Sequence, residues 1–219
     1  MKLLSGPLSM FGAKAEIAVA EKGIACDVEH VSFSLRTRYE PKHPDVARIN
    51  PKGQVPVLMD GVVELFDSTQ IFEYLERVCP DPPLWPSSPA AQATARLMEL
   101  QSDEVFFPHV IRLMALVQDP QGEAAQAEKL AISAYYDQIE ERLASADFVG
   151  GDTYSYADIA FIMAHYFAVF LGADIDDRHE RLGLWRHSVA SRAAVHKVLN
   201  SMGKFLEKNR LKKPTFVAS

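Results

Sequence analysis

Three short stretches of this chain combine residue types that could hold a small polar ligand. The first is Asn50-Pro51-Lys52-Gly53-Gln54-Val55-Pro56-Val57-Leu58. A proline between two strand valines deletes a ladder hydrogen bond, which a central strand does not accommodate. A cis Val55–Pro56 bond resolves this by turning the Val55 N–H and C=O outward, where they can pair with an extended peptide ligand. A plain edge strand beginning near a proline is the other reading. The second stretch is Asp67-Ser68-Thr69-Gln70, ahead of Ile71, Phe72, Leu75 and Val78 at helical spacing. The free N–H groups and dipole of a helix start there favour a carboxylate. Ser68 adds a hydroxyl donor and Asp67 can accept from an ammonium, so an amino acid head group would satisfy both. A capping box of Asp67 with Gln70 is the simpler alternative. The third stretch is Ser5-Gly6-Pro7-Leu8-Ser9-Met10-Phe11-Gly12, with Ser9 at or just before a helix N-terminus. Ser9 is either a simple N-cap or a hydroxyl aimed at a ligand. It is no hydrolase nucleophile, because GxSxG is absent and no His or Asp is placed for a triad.

The elements around these stretches read as follows. Lys2–Ser5 is a buried strand, and Ala13–Glu21 an Ala-rich helix closed by Gly23. Cys26–Phe33 alternates like a strand. Val55–Met59 and Val62–Phe66 flank Asp60-Gly61, a two-residue hairpin signal in which both turn residues take positive φ. The order β-α-β, hairpin, helix predicts a small mixed sheet with helices packed on it. Cys79–Pro89 then holds five of the thirteen prolines, which no helix or central strand tolerates. It reads as a linker over 80–89 anchored by Trp85, dividing a domain at 1–79 from one at 90–219. Beyond it the pattern is helical: Ala90–Leu116 with a kink or break at Pro108, Ala124–Leu143, Tyr156–Leu171, and at least one helix in Trp185–Met202. Tyr156–Leu171 is apolar on almost every face, so it lies at the centre of a helical domain. A capping box of Ser155 with Asp158 starts it.

Composition narrows the function. The chain has 219 residues, 48% of them apolar and 24% charged, as in soluble globular proteins. Its net charge of −6 makes a poor grip on nucleic acid or on an anionic membrane. The basic stretch from Lys204 to Lys213 reads as a solvated helix end. Cys26 and Cys79 form no CxxC pair, which fits a reducing compartment and excludes a disulfide framework or a Cys-rich zinc site. The seven histidines have no ligand spacing, so no metal is expected, and His109 and His165 read as packing or pocket residues. No apolar run approaches the ~20 residues of a membrane span, and the N-terminus has no leader-like core. The expectation is a soluble cytoplasmic protein.

In this order the motifs resemble the cytosolic glutathione transferase superfamily, in which a thioredoxin-like α/β domain precedes an all-helical one. LLSGPLSMFGAKAEIAVAEKGI is similar to that family's opening, NPKGQVPVL to its cis-proline segment, DSTQIFEYL to its glutamyl-binding turn, and GDTYSYADI to its helical-domain signature. The resemblance covers nearly the whole chain and suggests a serine-type, tau/theta-like bacterial member. It implies glutathione as co-substrate, with Ser9 as the catalytic hydroxyl. It also implies Lys42 at the glycyl carboxylate, the Val55 backbone before Pro56 at the cysteinyl part, and Asp67 with Ser68 as the γ-glutamyl clamp. The helical domain would carry the pocket for a small hydrophobic electrophile, with Phe11, Phe106, His109 and Leu113 as its candidate lining. A cytoplasmic homodimer active in detoxification, with no metal, nucleic acid or membrane partner, is what such a relationship implies. Ser5 and Ser32 are expected to tolerate replacement.

Several departures sharpen the comparison. The zeta-type Ser-Ser-Cys run is absent, position 9 is not the Cys of omega and beta types, and Ala193 follows Arg192 where the family often has proline. The openings LLSGPLS and VVELFDSTQIFEYLERVCPDPPLWP also resemble stringent starvation protein A, a transferase-fold protein that binds RNA polymerase without glutathione chemistry. Ser9, Lys42, Asp67 and Ser68 occurring together favour the enzyme.

Overall fold

The computed structural model describes residues 1–217. Its α/β part opens with β1 (Lys2–Ser5), α1 (Met10–Glu21) and β2 (Asp27–His30). There follow α2 (Pro44–Ile49), β3 (Val57–Asp60), β4 (Val63–Phe66) and α3 (Ser68–Val78). The four strands make one mixed sheet in the order β2-β1-β3-β4, with β1 parallel to β2 and antiparallel to β3. An interior strand is covered on both faces, which is why Leu3 and Leu4 are both fully buried. The Ala-rich α1 is the crossover that a parallel pair requires, and α3 packs beside it through Ile71, Phe72 and Leu75. Gly23 at φ 62 ends α1 as expected.

Two details differ from the sequence reading. The hairpin turn is Gly61-Val62, because Asp60 and Val63 are still register partners. Only Gly61 of the pair has positive φ, so one glycine suffices and the aspartate stays in the strand, where it accepts the Tyr74 hydroxyl at 2.8 Å. The six-residue α2 gave no periodic signal; Pro44 near its start and an N-cap bond from the Asp45 N–H to His43 Nδ1 define it.

The chain divides into two compact units. One comprises Met1–Pro83 with Lys197–Arg210, the other Leu84–His196 with the described residues from Leu211 to Val217. The returning stretch lies in α9 (Ala193–Lys208), whose Phe205 meets Phe33 edge-on at 5.6 Å. Within the first unit the buried Lys22 ammonium sits 2.7 Å from Glu76 and donates to the Pro82 carbonyl at 2.8 Å. The proline-rich segment is thereby tied to the ends of α1 and α3.

The second unit is helical: α4 (Pro89–Gln101), α5 (Phe107–Ala115), α6 (Glu123–Arg142), α7 (Tyr156–Phe170), α8 (Glu180–Ala190) and the start of α9. The break expected near Pro108 is a π-helical turn, Ser102–Phe106, immediately before it. Trp85 is buried edge-on against Tyr156. Every residue of α7 from Tyr156 to Ala168 is buried, and its capping box of Ser155 with Asp158 is formed. No helix among the described residues is long and apolar enough to cross a membrane.

Asp158 is fully buried and does more than cap. Its carboxylate accepts from the Val149 N–H at 3.0 Å, the Ser155 N–H at 2.9 Å and Trp185 Nε1 at 2.8 Å. Burial pushes its ionisation up to about 6, with the bond from Trp185 and those from the Ser155 and Val149 backbone opposing that rise. Removing the acceptor strands three buried donors at once, each costing ~1–3 kcal/mol. Asp158→Ala is therefore expected to lower stability by about 3–5 kcal/mol, read from the midpoint of chemical denaturation.

Candidate functional site

Strand register brings the candidate residues together before any side chain is considered. Leu4 pairs with Val57, and Val57 pairs with Phe66. The end of β1 at Ser5, the entry to β3 at Val55-Pro56 and the exit of β4 at Asp67 therefore share one end of the sheet. The Val55–Pro56 bond is cis. Two helices, α1 and α3, start at that same end.

Ser9 is the N-cap of α1, in extended backbone (φ −119°, ψ 115°), and its Oγ accepts the Gly12 N–H at 3.0 Å. A hydroxyl that accepts one bond still has its proton to donate. Behind this turn lies a polar group that sequence reasoning missed. Ser5, fully buried, donates its hydroxyl to Glu16 Oε1, and His30 Nε2 meets the same oxygen at 2.9 Å. Ser5 is therefore not the neutral hydroxyl expected from the sequence, because its burial requires that acceptor. The exposed Ser32 shows no such constraint. Space here is tight: a Cβ at Gly12 would overlap Ser5 Oγ and stand 3.1 Å from Ser9 Oγ. On the other side of the turn, a Cβ at Gly6 would overlap the Tyr39 hydroxyl. Tyr39 is held by Phe33 at 4.7 Å, and burial pushes its ionisation upward.

The remaining polar candidates are ordered by their own loops. Buried Asn50 donates to the Gln54 carbonyl at 2.6 Å and accepts the Lys52 N–H at 2.9 Å, folding residues 50–54 into the approach to Pro56. The Lys42 stem packs over Gly53, with Cε 3.4 Å from where a Cβ would stand, and its ammonium meets Glu40 at 3.2 Å. Asp67 is exposed and caps α3 through Oδ1, which accepts the N–H groups of Thr69 at 3.0 Å and Gln70 at 3.2 Å. It does so at φ 75°, an uncommon conformation for a residue with a side chain. Ser68, next in the turn, is buried.

The residues expected to line an acceptor pocket belong to both units. Phe106 is fully buried among Tyr135, Tyr136 and Phe161, and Leu113 is only 2% exposed. Both are core residues of the second unit, a correction that follows from helical spacing serving packing first. His109 is partly exposed and pairs with Glu128 at 2.6 Å, as Arg112 does at 2.7 Å. Those partners hold the Glu128 carboxyl below its ordinary range, Arg112 more strongly than His109. Phe11 belongs to the first unit and is partly exposed. His165 is a packing residue, hydrogen-bonded through Nδ1 to the Tyr136 hydroxyl at 2.8 Å, and burial keeps it neutral.

A four-stranded mixed sheet with a cis-proline at the mouth of β3, in a chain that continues into a helical domain, defines a thioredoxin-like protein of the transferase type. The comparisons with known proteins agree. The glutathione S-transferase N-terminal domain model matches residues 8–78 and its C-terminal domain model residues 97–193. The chain belongs to the glutathione S-transferase family. Glutathione S-transferase 2 of Saccharomyces cerevisiae is 26% identical over 216 residues, covering 93% of this chain and 91% of that protein. A stringent starvation protein A homolog of Coxiella burnetii is 26% identical over 180 residues, or 81% and 80% of the two chains. The crystal structure of glutathione transferase F2 from Populus trichocarpa shares the fold, with a TM-score of 0.78 at 22% identity, covering 93% of this chain and 99% of that one.

The Glu16–His30 pair gives stability a defined pH dependence. The bond to Glu16 raises the His30 ionisation above its ordinary value of ~6.5, burial opposing. Its contribution is fully present below ~6.5 and is lost as pH rises through the higher folded-state value. Thermal melting should show His30→Gln to be less stable than the parent at pH 5.5, with the gap closing by pH 9.

Proposed function

We propose that this protein is a glutathione transferase that activates the glutathione thiol at Ser9. The reading is supported above all by one observation: Ser9, the Val55–cis-Pro56 segment and Asp67-Ser68 converge on one end of one sheet. In this reading the γ-glutamyl ammonium meets the Asp67 carboxylate, and its carboxylate meets Ser68 and the N–H groups that open α3. The cysteinyl backbone pairs with Val55, the glycyl carboxylate meets Lys42, and the thiol points to Ser9.

The chemistry needed is modest. A free thiol ionises near ~8.5, so it is mostly protonated at neutral pH, whereas the nucleophile is the thiolate. The Ser9 hydroxyl is too weak an acid to act as a base; it donates a hydrogen bond to the sulfur. Lowering the thiol pKa by ~2 needs ~2.7 kcal/mol of preferential thiolate stabilisation. A bond to a charged sulfur contributes ~1.5–3 kcal/mol and the start of α1 adds ~0.3–1. The thiol proton leaves to water. The sulfur lone pair forms a C–S bond to a hydrophobic electrophile as the carbon's bond to its leaving group breaks, that group departing with the electron pair as an anion. A cytoplasmic homodimer with a detoxifying role belongs to the same proposal.

A second reading is favoured by the similarity to stringent starvation protein A homologs, one of them 33% identical over 108 residues. Under it the chain has no turnover and binds RNA polymerase. Calorimetric titration separates the two. Glutathione should bind at sub-millimolar to millimolar concentration, and Asp67→Ala should weaken it by about tenfold or more, the loss of one charge-assisted contact. No heat at millimolar glutathione, together with co-purification of RNA polymerase, would transfer support to the second reading.

Ser9→Ala tests the central residue. Turnover of a general electrophile such as chlorodinitrobenzene should fall about 10–100-fold near neutral pH and recover partly as pH rises, because a donor of ~1.5–3 kcal/mol is lost. Glutathione affinity should change little, since the other anchors remain. Full activity with an unchanged pH profile would remove Ser9 from the mechanism.

A further inference from the structure

Ser5 and His30 are register partners in the β1–β2 ladder, so their side chains project from the same face of the sheet. The crossover helix α1 covers that face, and Glu16 reaches both residues with one oxygen. Exposure falls from His30 at 34% to Glu16 at 12% and Ser5 at 0%. The series therefore runs from the surface inward to the turn that presents Ser9. Ser5 Oγ and Ser9 Oγ both crowd the place where a Gly12 side chain would begin. The Ser5 hydroxyl is thus the layer between a carboxylate and the proposed thiolate position.

We propose that Ser5, Glu16 and His30 form a positioning and charge-balancing unit for the Ser9 turn, in which the His30 imidazolium offsets the Glu16 carboxylate behind the bound anion. With His30 protonated the pair is neutral. Once His30 loses its proton, a full negative charge lies beneath an anion-binding turn and disfavours a second negative charge there. Ionisation at position 9 and protonation at His30 are therefore coupled, each favouring the other. The charged and titratable groups of the neighbouring elements are held as follows. Glu29, beside His30 in β2, projects to the opposite face and meets Lys2 at 2.7 Å and His43 at 3.6 Å. Lys14 of α1 lies 5.7 Å from the Phe11 ring centroid. From the loop after β2, burial disfavours the Tyr39 phenolate, and the Glu16 charge adds to that.

This inference rests on the reading of Ser9 given above, but its test does not need glutathione. In full-length Ser9→Cys protein the introduced thiol reports the electrostatics of the turn directly. Its thiolate absorbance is followed against pH and referenced to the unsubstituted protein, which removes the signal of Cys26 and Cys79. Adding Glu16→Gln should lower the ionisation midpoint by about half to one pH unit, and adding His30→Gln should raise it by a similar amount. The opposite signs matter. A purely structural bridge, broken by either change, would loosen the turn and move both midpoints in the same direction.

Midpoints that agree within about 0.2 pH unit, or that shift together, overturn the proposal. Should Glu16→Gln fail to fold, His30→Gln decides alone: a raised midpoint supports the proposal, and a lowered or unmoved one overturns it. Failure of the parent protein to bind glutathione would sink the transferase reading and leave this result standing.

Discussion

The two-sided pairing of β1 is the constraint on which the candidate site depends. A strand bonded in parallel on one edge and antiparallel on the other can be reached in only one way at each end. The parallel partner β2 demands a crossover, and the crossover helix must begin just past the end of β1. The antiparallel partner β3 must enter where β1 leaves, and its hairpin mate β4 must exit there too. Ser9, Val55 and Asp67 share one end of the sheet because of that wiring. Each then receives what its position offers: the opening of a helix for Ser9 and Asp67, and backbone beyond the end of a ladder for Val55.

Local packing refines what topology delivers. The Ser5–Ser9 turn is held by side chains that take the space where Gly6 and Gly12 lack one. Tyr39 closes over one glycine and Ser5 over the other, so the turn is fixed by contacts rather than by backbone bonds alone. Asp67 plays the reverse part, since there the chain accepts an unfavourable φ at a residue with a side chain in order to keep an exposed carboxylate at a helix opening. The helical unit is anchored on a different principle. Its central helix is apolar throughout, and one buried carboxylate, Asp158, fastens the start of that helix to the preceding loop and to α8 through Trp185.

Much of this was legible in the sequence wherever a residue type forbids alternatives. Prolines announced the cis segment, Gly23 closed α1, and the apolar run of α7 could only be central. The misses share a different cause. A six-residue helix such as α2 is shorter than two turns and leaves no periodic trace. The hairpin was displaced by one residue because Asp-Gly is a turn signal whether or not the aspartate belongs to the turn. Phe106 and Leu113 looked like pocket residues because a core stripe and a pocket wall have the same spacing. Glu16 and His30 were invisible as a pair, since they lie on different elements fourteen residues apart and only strand register places His30 beside Ser5. Lys22 belongs with them: nothing in a sequence marks a lysine whose ammonium will be buried against a backbone carbonyl sixty residues away.

The first unit is not a continuous stretch of chain. Its last piece, Lys197–Arg210, carries Phe205, which bears on Phe33; Phe33 holds Tyr39, and Tyr39 closes over Gly6 at the turn that presents Ser9. A ribosome that has released Pro83 has still to make more than a hundred residues before this buttress exists. At ~5–20 residues per second that interval is on the order of ten seconds. The sheet and its helices can form early, but the wall behind the site is completed only when the chain is almost finished. Vectorial synthesis thus makes the helical unit a step in completing the unit that holds the candidate site, although the proposed glutathione-binding residues all lie within the first seventy positions.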